Sequence, residues 1–209
     1  MMSRRLDGGE QRAEAPALPA PPERVTRVAV VSDVHGNLPA LEAVLAEVRD
    51  VDAIVCCGDV EGEPCTSLLA RAGARFVRGN ADVGVGWPLT LELEVDGLGR
   101  VLFCHGWPRS EHGILTRVSP ESRVQEALEG VDAAVVVHGH THVQYDREVA
   151  GRRLVCPGSV GMPYERTHGA FWALLGPGVE FRRTEYEAAP EPRDPDEVSA
   201  YFEGLATGA

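Results

Sequence analysis

Residues 137–142 read Val-His-Gly-His-Thr-His, placing three of the chain's seven histidines within six positions. Imidazole is the commonest metal-binding side chain in proteins. The stretch follows Ala133–Val137, an apolar run with the look of a buried strand. A single histidine at a strand end is ordinary, but three together call for partners elsewhere in the chain. Asp33 and His35 follow the run Val25–Val31, and Asp59 follows Ala53–Cys57. Asn80 and Asp82 follow Arg75–Val77, His105 follows a further apolar strand, and His140 and His142 follow the Val135–Val137 run.

The elements between these residues explain how they could meet. Leu38–Arg49 carries Leu41, Val44, Leu45 and Val48 at helical spacing, with Pro39 in the first turn where a missing N–H costs nothing. A second helix is expected near Thr66–Ala72 and a third near Pro120–Glu129. Strand, loop and helix alternate through the first half, which implies parallel strands covered by helices. The second half reads as three hairpins, over residues 89–106, 142–161 and 170–186, so a largely antiparallel part is expected there. In open α/β sheets ligands bind beyond the carboxyl ends of the strands. That rule carries Asp33, His35, Asp59, Asn80, His105, His140 and His142 to one edge. Two aspartates, an asparagine and four histidines exceed the needs of one catalytic zinc, and suit two metals sharing a carboxylate. The imidazoles disfavour calcium or magnesium alone, leaving manganese, iron, zinc, cobalt or nickel.

Composition bounds the remaining possibilities. The chain has 209 residues, with 44% hydrophobic and 25% charged residues, enough for one domain with a good core. A formal net charge of −12 argues against broad binding to nucleic acid or an anionic membrane. No apolar run is long enough to span a bilayer, and the first 24 residues lack a signal-peptide core, so a cytoplasmic location is expected. The five cysteines form no CxxC pair and read as buried free thiols. Residues 1–24 are expected to be a disordered tail, 25–187 the folded domain, and 188–209 a second tail with one short helix.

Five blocks now stand out in order: DVHGN at 33–37, GDV at 58–60, GNAD at 79–82, HG at 105–106 and GHTH at 139–142. Together they resemble the calcineurin-like metallophosphoesterases, and PGSVGMP at 157–163 resembles the small YfcE-like phosphodiesterase branch. The resemblance implies a four-layer α-β-β-α sandwich of two mixed sheets flanked by helices. It implies Asp33, His35 and His142 at a first metal, Asn80, His105 and His140 at a second, and Asp59 bridging them. The implied activity is hydrolysis of phosphodiesters or small phosphorylated compounds by a metal-activated hydroxide, with manganese the favoured ion. Protein phosphatase or dinucleoside polyphosphate hydrolase activity, or a non-catalytic scaffold binding other proteins, are the alternatives.

The chain departs from the family at Ala81, where many members carry a histidine that protonates the leaving group. General acid catalysis contributes roughly 10²–10⁴-fold, so esters with poor leaving groups are expected to react less efficiently. His112 and His168 are the remaining candidates for an acid or a substrate contact. Asp82 is expected to hold a ligating imidazole or to cap a loop. His138 could share the face of the ligand pair or be structural. Asn37, Arg78 and Arg166 could reach a substrate phosphate, the arginines through paired hydrogen bonds.

Overall fold

The computed structural model describes residues 21–187 and 189–208. Chain order begins with strands β1 (Glu23–Val25) and β2 (Val28–Val31), helix α1 (Leu38–Glu47), strand β3 (Ala53–Cys56), helix α2 (Glu63–Arg71) and strand β4 (Arg75–Phe76). The hairpin β5 (Thr90–Val95) and β6 (Gly99–Cys104) follows, then helix α3 (Glu121–Ala127) and strand β7 (Val135–Val137). Two more hairpins, β8 (Gln144–Val149) with β9 (Arg152–Pro157) and β10 (Ala170–Leu175) with β11 (Val179–Thr184), precede helix α4 (Pro195–Thr207).

The strands form two mixed sheets. One has the order β1-β5-β6-β7-β9-β8 and the other β11-β10-β2-β3-β4. Strands β2, β3 and β4 run parallel, as do β6, β7 and β9, while all three hairpins pair antiparallel. Side chains alternate across each strand with period two. Val28 and Val30 of β2 therefore join Val55, Val101, Phe103, Val135 and Val155 in the core between the sheets. Ala29 and Val31 face the other way and pack with Leu41, Val44 and Leu69 under α1 and α2. On the far side, Leu102, Val136 and Leu154 pack with Val124 and Ala127 of α3. The four layers expected from the sequence are those seen.

Several boundaries differ from the sequence reading. The run Val25–Val31 is two strands in different sheets: β1 pairs with β5, whereas β2 lies between β10 and β3. The break falls at Thr26 and Arg27, whose amides donate to the Asp52 carboxylate at 2.6 and 2.9 Å. Helix α1 ends at Glu47 and α2 starts three residues before Thr66. The disordered tail expected over residues 1–24 lies outside the described residues up to position 20, and Glu23 and Arg24 are already in a strand.

The C-terminal stretch is a docked helix. Asp194 caps α4, accepting from the Asp196 amide at 2.8 Å. Glu203 accepts from Thr116 Oγ1 at 2.8 Å and Ser119 Oγ at 2.5 Å, and pairs with Arg123 at 2.6 Å. Among the described residues, no helix is long and apolar enough to cross a membrane.

Candidate metal centre

The loops that leave β2, β3, β4, β6 and β7 converge, and two clusters of candidate ligands result. Asp33, His35 and His142 form one, and Asp59, His105 and His140 the other; within each, one donor atom per residue lies within 4.8 Å of the rest. Asp33 Oδ1 stands 3.1 Å from His142 Nε2 and 3.9 Å from His35 Nε2. His35 Nε2 and His142 Nε2 are 3.2 Å apart. Asp59 Oδ2 is 3.4 Å from His105 Nε2 and 3.9 Å from His35 Nε2, so one carboxylate oxygen faces both clusters. Asn80 Oδ1 joins the second cluster, 3.0 Å from His105 Nε2.

The outer ring nitrogens of three of these imidazoles are engaged by fixed acceptors. A carbonyl can only accept, so His105 Nδ1–H donates to Cys57 O and His142 Nδ1–H to Met162 O, both at 2.7 Å. His35 Nδ1–H donates to the Glu61 carboxylate at 2.5 Å. In each ring the bond fixes the tautomer and leaves Nε2 directed inward, as metal-ligating histidines require. Asp59 is oriented in the same manner: the Ala81 amide donates to Oδ1 at 2.7 Å, and Oδ2 remains for the centre. Ser32 Oγ donates to Asp33 Oδ2 at 2.5 Å. Carboxylate, amide and imidazole donors without thiolate fit first-row divalent ions.

The charges follow from this crowding. Burial pushes the Asp33 carboxyl up, but the His142 imidazole beside it outweighs burial and holds it well below the usual carboxylate range. Asp59 is likewise held low by its bond to His105, against burial. His105 is pushed up to about 9: burial opposes its charge, and the Asp59 hydrogen bond with the Asp33 and Asp59 charges overcomes it. His142 is raised by Asp33 despite burial, whereas His140 falls to about 4 through burial and the neighbouring His105. Without metal the centre is thus a set of paired charges, which divalent ions would replace by displacing protons.

Backbone conformation contributes to the placement. Eight described residues other than glycine have positive φ, and five are candidate ligands: Asp33 (53°), His35 (46°), Asp59 (52°), His140 (70°) and His142 (59°). That region costs an L-residue energy and persists where the surroundings impose it, often at functional sites. Gly79 and Gly139 permit the packing. A Cβ on Gly79 would lie 2.1 Å from Asp59 Oδ1, and one on Gly139 2.0 Å from Ser32 Oγ.

A profile described as the calcineurin-like phosphoesterase superfamily domain matches residues 26–175, which hold every one of these candidate ligands. The chain belongs to that superfamily. A "Probable metallophosphoesterase" of Methanothermobacter thermautotrophicus is 31% identical over 146 residues, 65% of this chain and 78% of the relative. The crystal structure of a metallophosphoesterase from Sphaerobacter thermophilus superposes with a TM-score of 0.60 at 27% identity, covering 78% of this chain and 89% of that one. The structure of the phosphoesterase YfcE from E. coli superposes with a TM-score of 0.50 at 22% identity, covering 72% and 88%, and shares the fold. The family resemblance read from the five blocks is therefore sound.

Other sequence candidates of the phosphoesterase domain fall elsewhere. Asp82 touches no imidazole. Its carboxylate accepts from the amides of Asp59 (2.8 Å), Val60 (2.9 Å) and Gly79 (2.9 Å), tying the Asp59 loop to the Asn80 loop. Asn37 is used structurally: Oδ1 caps α1 at the Ala40 amide, and Nδ2 donates to Gly161 O and Tyr186 Oη. His138 is buried facing away from the ligands, accepting from the Tyr145 hydroxyl, with its Nδ1–H on the Gly139 carbonyl; burial holds it at about 4. Arg166 pairs with Asp194 and Asp196 at the start of α4, and His168 Nδ1–H donates to Pro190 O, so neither points to the centre. Arg78 is paired with Glu111 at 3.1 Å, and with His112 and Asn80 it lines an open groove of about 510 Å³.

Several residues of the site gave no distinct sequence signal. Glu61 follows the GDV block directly, and its adjacency to Asp59 was the available hint. Ser159 Oγ donates to Asp33 O at 2.7 Å and accepts from the Met162 amide at 2.8 Å. This explains the PGSVGMP block as the support of Asp33 and His142. Tyr164 stacks on His142 at 4.8 Å and 20°, and Phe202 of α4 lies 6.1 Å from His140.

Proposed function

We propose that this chain is a dinuclear metal-dependent phosphoesterase acting on phosphodiesters or small phosphorylated compounds. The observation that carries the reading is Asp59, whose Oδ2 faces His35 of one cluster and His105 of the other. Asp33, His35 and His142 would hold one ion, Asn80, His105 and His140 the second, and Asp59 both. Two such ions supply Lewis acidity toward phosphoryl oxygens and an activated water for in-line displacement at phosphorus. Manganese is the favoured ion; iron, zinc, nickel and cobalt suit the same donors.

The chain's own groups do the positioning. The Ala81 amide and the Asp82 clamp fix the Asp59 carboxylate, and the Cys57 and Met162 carbonyls fix the rings of His105 and His142. Side chain 81 has no proton to give, so a leaving oxygen that departs as a stable anion, needing no acid at that position, is the best served. This favours diesters and activated esters over alkyl monoesters.

The test is hydrolysis of bis-p-nitrophenyl phosphate and p-nitrophenyl phosphate by metal-stripped protein, with and without Mn²⁺, beside Asp59→Asn. Turnover is expected only with added metal, to favour the diester, and to fall about 10²–10³-fold in the variant, the scale of losing one centrally placed electrostatic group. Folded protein that binds metal and hydrolyses neither ester would overturn the reading in favour of a binding scaffold.

A further inference from the structure

Glu61 belongs to neither ligand cluster, yet its carboxylate reaches the centre through one of the rings. Its Oε2 accepts from His35 Nδ1–H at 2.5 Å, leaving Nε2 for the inward side. His105 and His142 are held differently, each donating to a neutral main-chain carbonyl, Cys57 O and Met162 O. Among the described residues, Glu61 is the one carboxylate on the outer nitrogen of a candidate ligand.

The contact is built rather than incidental. Glu61 leaves 46% of its side chain in water, so burial does not force it to find a partner. Its φ of 49° lies in the left-handed region, which costs an L-residue energy and persists where the surroundings impose it. Glu61 thus joins the five candidate ligands that share this conformation. Its loop is fastened to that of His35: the His35 amide donates to Asp59 O and the Gly36 amide to Val60 O, both at 3.0 Å.

His35 is also the ring that most needs support. Its side chain is 14% exposed, against 0% for His105 and 7% for His142, so packing confines it least of the three. Its Nε2 stands 3.9 Å from both Asp33 Oδ1 and Asp59 Oδ2, a placement that a turn of the ring would lose. A carboxylate behind a ligating imidazole fixes the tautomer and the ring's orientation, and strengthens its donation to an ion. A carbonyl supplies the orientation without the charge.

Resting on the dinuclear reading above, we propose that Glu61 is a positioning residue for the metal centre. Acting through the His35 ring, its carboxylate sets the affinity of the ion held by Asp33, His35 and His142 and leaves the second site unaltered. The selectivity follows from the route. Among the described residues, the Glu61 side chain bonds to no member of the second cluster, and Asp59 is fixed separately by the Ala81 amide and by Asp82. Replacing the Glu61 side chain also leaves the main-chain bonds between the loops in place.

The test titrates full-length metal-free protein, unaltered and as Glu61→Gln and Glu61→Ala, with Mn²⁺ by calorimetry and electron paramagnetic resonance. Glutamine keeps an acceptor without the charge; alanine removes both. One of the two Mn²⁺ sites is expected to weaken about tenfold in Glu61→Gln and about 100-fold in Glu61→Ala, the range for losing a partner behind a metal ligand. At equal Mn²⁺ the variants should show the sharp hyperfine signal of an isolated ion where the unaltered protein shows a coupled pair. Urea midpoints of the metal-free variants should stay within about 0.3 M of the unaltered protein. Shifted midpoints with unchanged metal sites, equal weakening of both sites, or no weakening of either overturns the proposal. Selective weakening in protein that hydrolyses no ester supports the positioning role while overturning the hydrolase reading. An unaltered protein that binds no divalent ion overturns both.

Discussion

Asp82 offers the sharpest test of how the centre is built. Its carboxylate accepts three main-chain amides, those of Asp59, Val60 and Gly79, at 2.8–2.9 Å and almost out of water. Asp82→Asn keeps the shape but only one accepting oxygen. The amide oxygen would best take the place of Oδ2 and keep Asp59 and Gly79, setting an NH₂ against the Val60 N–H. One lost bond to a charged acceptor, with a buried donor left unmet, costs about 1–3 kcal/mol. Asp82→Ala strands all three donors and is expected to cost about 3–5 kcal/mol, as when one partner of a buried charged network is removed. That is a large share of the roughly 5–15 kcal/mol of a typical domain. With a urea dependence of about 2 kcal/mol per molar, the midpoints should fall by about 1 M for Asn and 2 M for Ala. Because the same amides set the Asp59 loop against Asn80, Mn²⁺ affinity should drop about 10–100-fold in Asp82→Asn. Urea melts of metal-free protein and Mn²⁺ calorimetry on both variants are the assays. A midpoint within about 0.3 M of the unaltered protein for Asp82→Ala would refute the clamp.

Three further outcomes follow from the geometry. His105 is protonated at pH 7, its titration lying near 9, and a metal ligand must be neutral. Metal uptake at pH 7 should therefore release roughly one proton or more, and apparent affinity should rise with pH until about 9 and then level off. Calorimetry in buffers of different ionisation enthalpy measures this, and heats independent of buffer would contradict it. Glu203→Ala should loosen α4 and destabilise the fold by about 1–3 kcal/mol, read as faster amide exchange in α4 than in α1. At His140, where φ is 70°, Gly should be more stable than Ala by about 1 kcal/mol in metal-free urea melts, the reverse of their order in a helix. Equal midpoints would show that the conformation is not strained.

The candidate ligands were legible because two signals coincide in them: strand-end position and donor chemistry. Asp33, His35, Asp59, Asn80, His105, His140 and His142 each end a strand whose apolar period is plain, and one topological rule gathers them. The polar residues around them obey no such rule. Asp82 and Asn37 sit inside diagnostic blocks and look like substrate or ligand contacts, but a side chain's partners depend on loop paths that the spacing leaves open. Both were claimed by nearby amides and carbonyls that would otherwise be buried without partners. The break between β1 and β2 was hidden for a related reason. Val25–Val31 is uniformly β-forming, and what divides it is Asp52, far along the chain. The place of α4 depends on Glu203 meeting Thr116, Ser119 and Arg123, more than 79 residues away in sequence.

Positive φ at five candidate ligands links the fold to the site. Asp33, Asp59 and His140, which follow β2, β3 and β7, turn through the left-handed region. Local preference opposes this at every one of these positions, at about 1 kcal/mol each. The opposition is met by contacts that single positions cannot show: the Asp33 amide on Gly58 O at 2.9 Å, the His35 amide on Asp59 O at 3.0 Å and the Gly139 amide on His105 O at 2.9 Å. Each of these bonds joins one ligand loop to another. The loops therefore hold one another in conformations none would keep alone, and a change that frees one, as at Asp82, should weaken both clusters together.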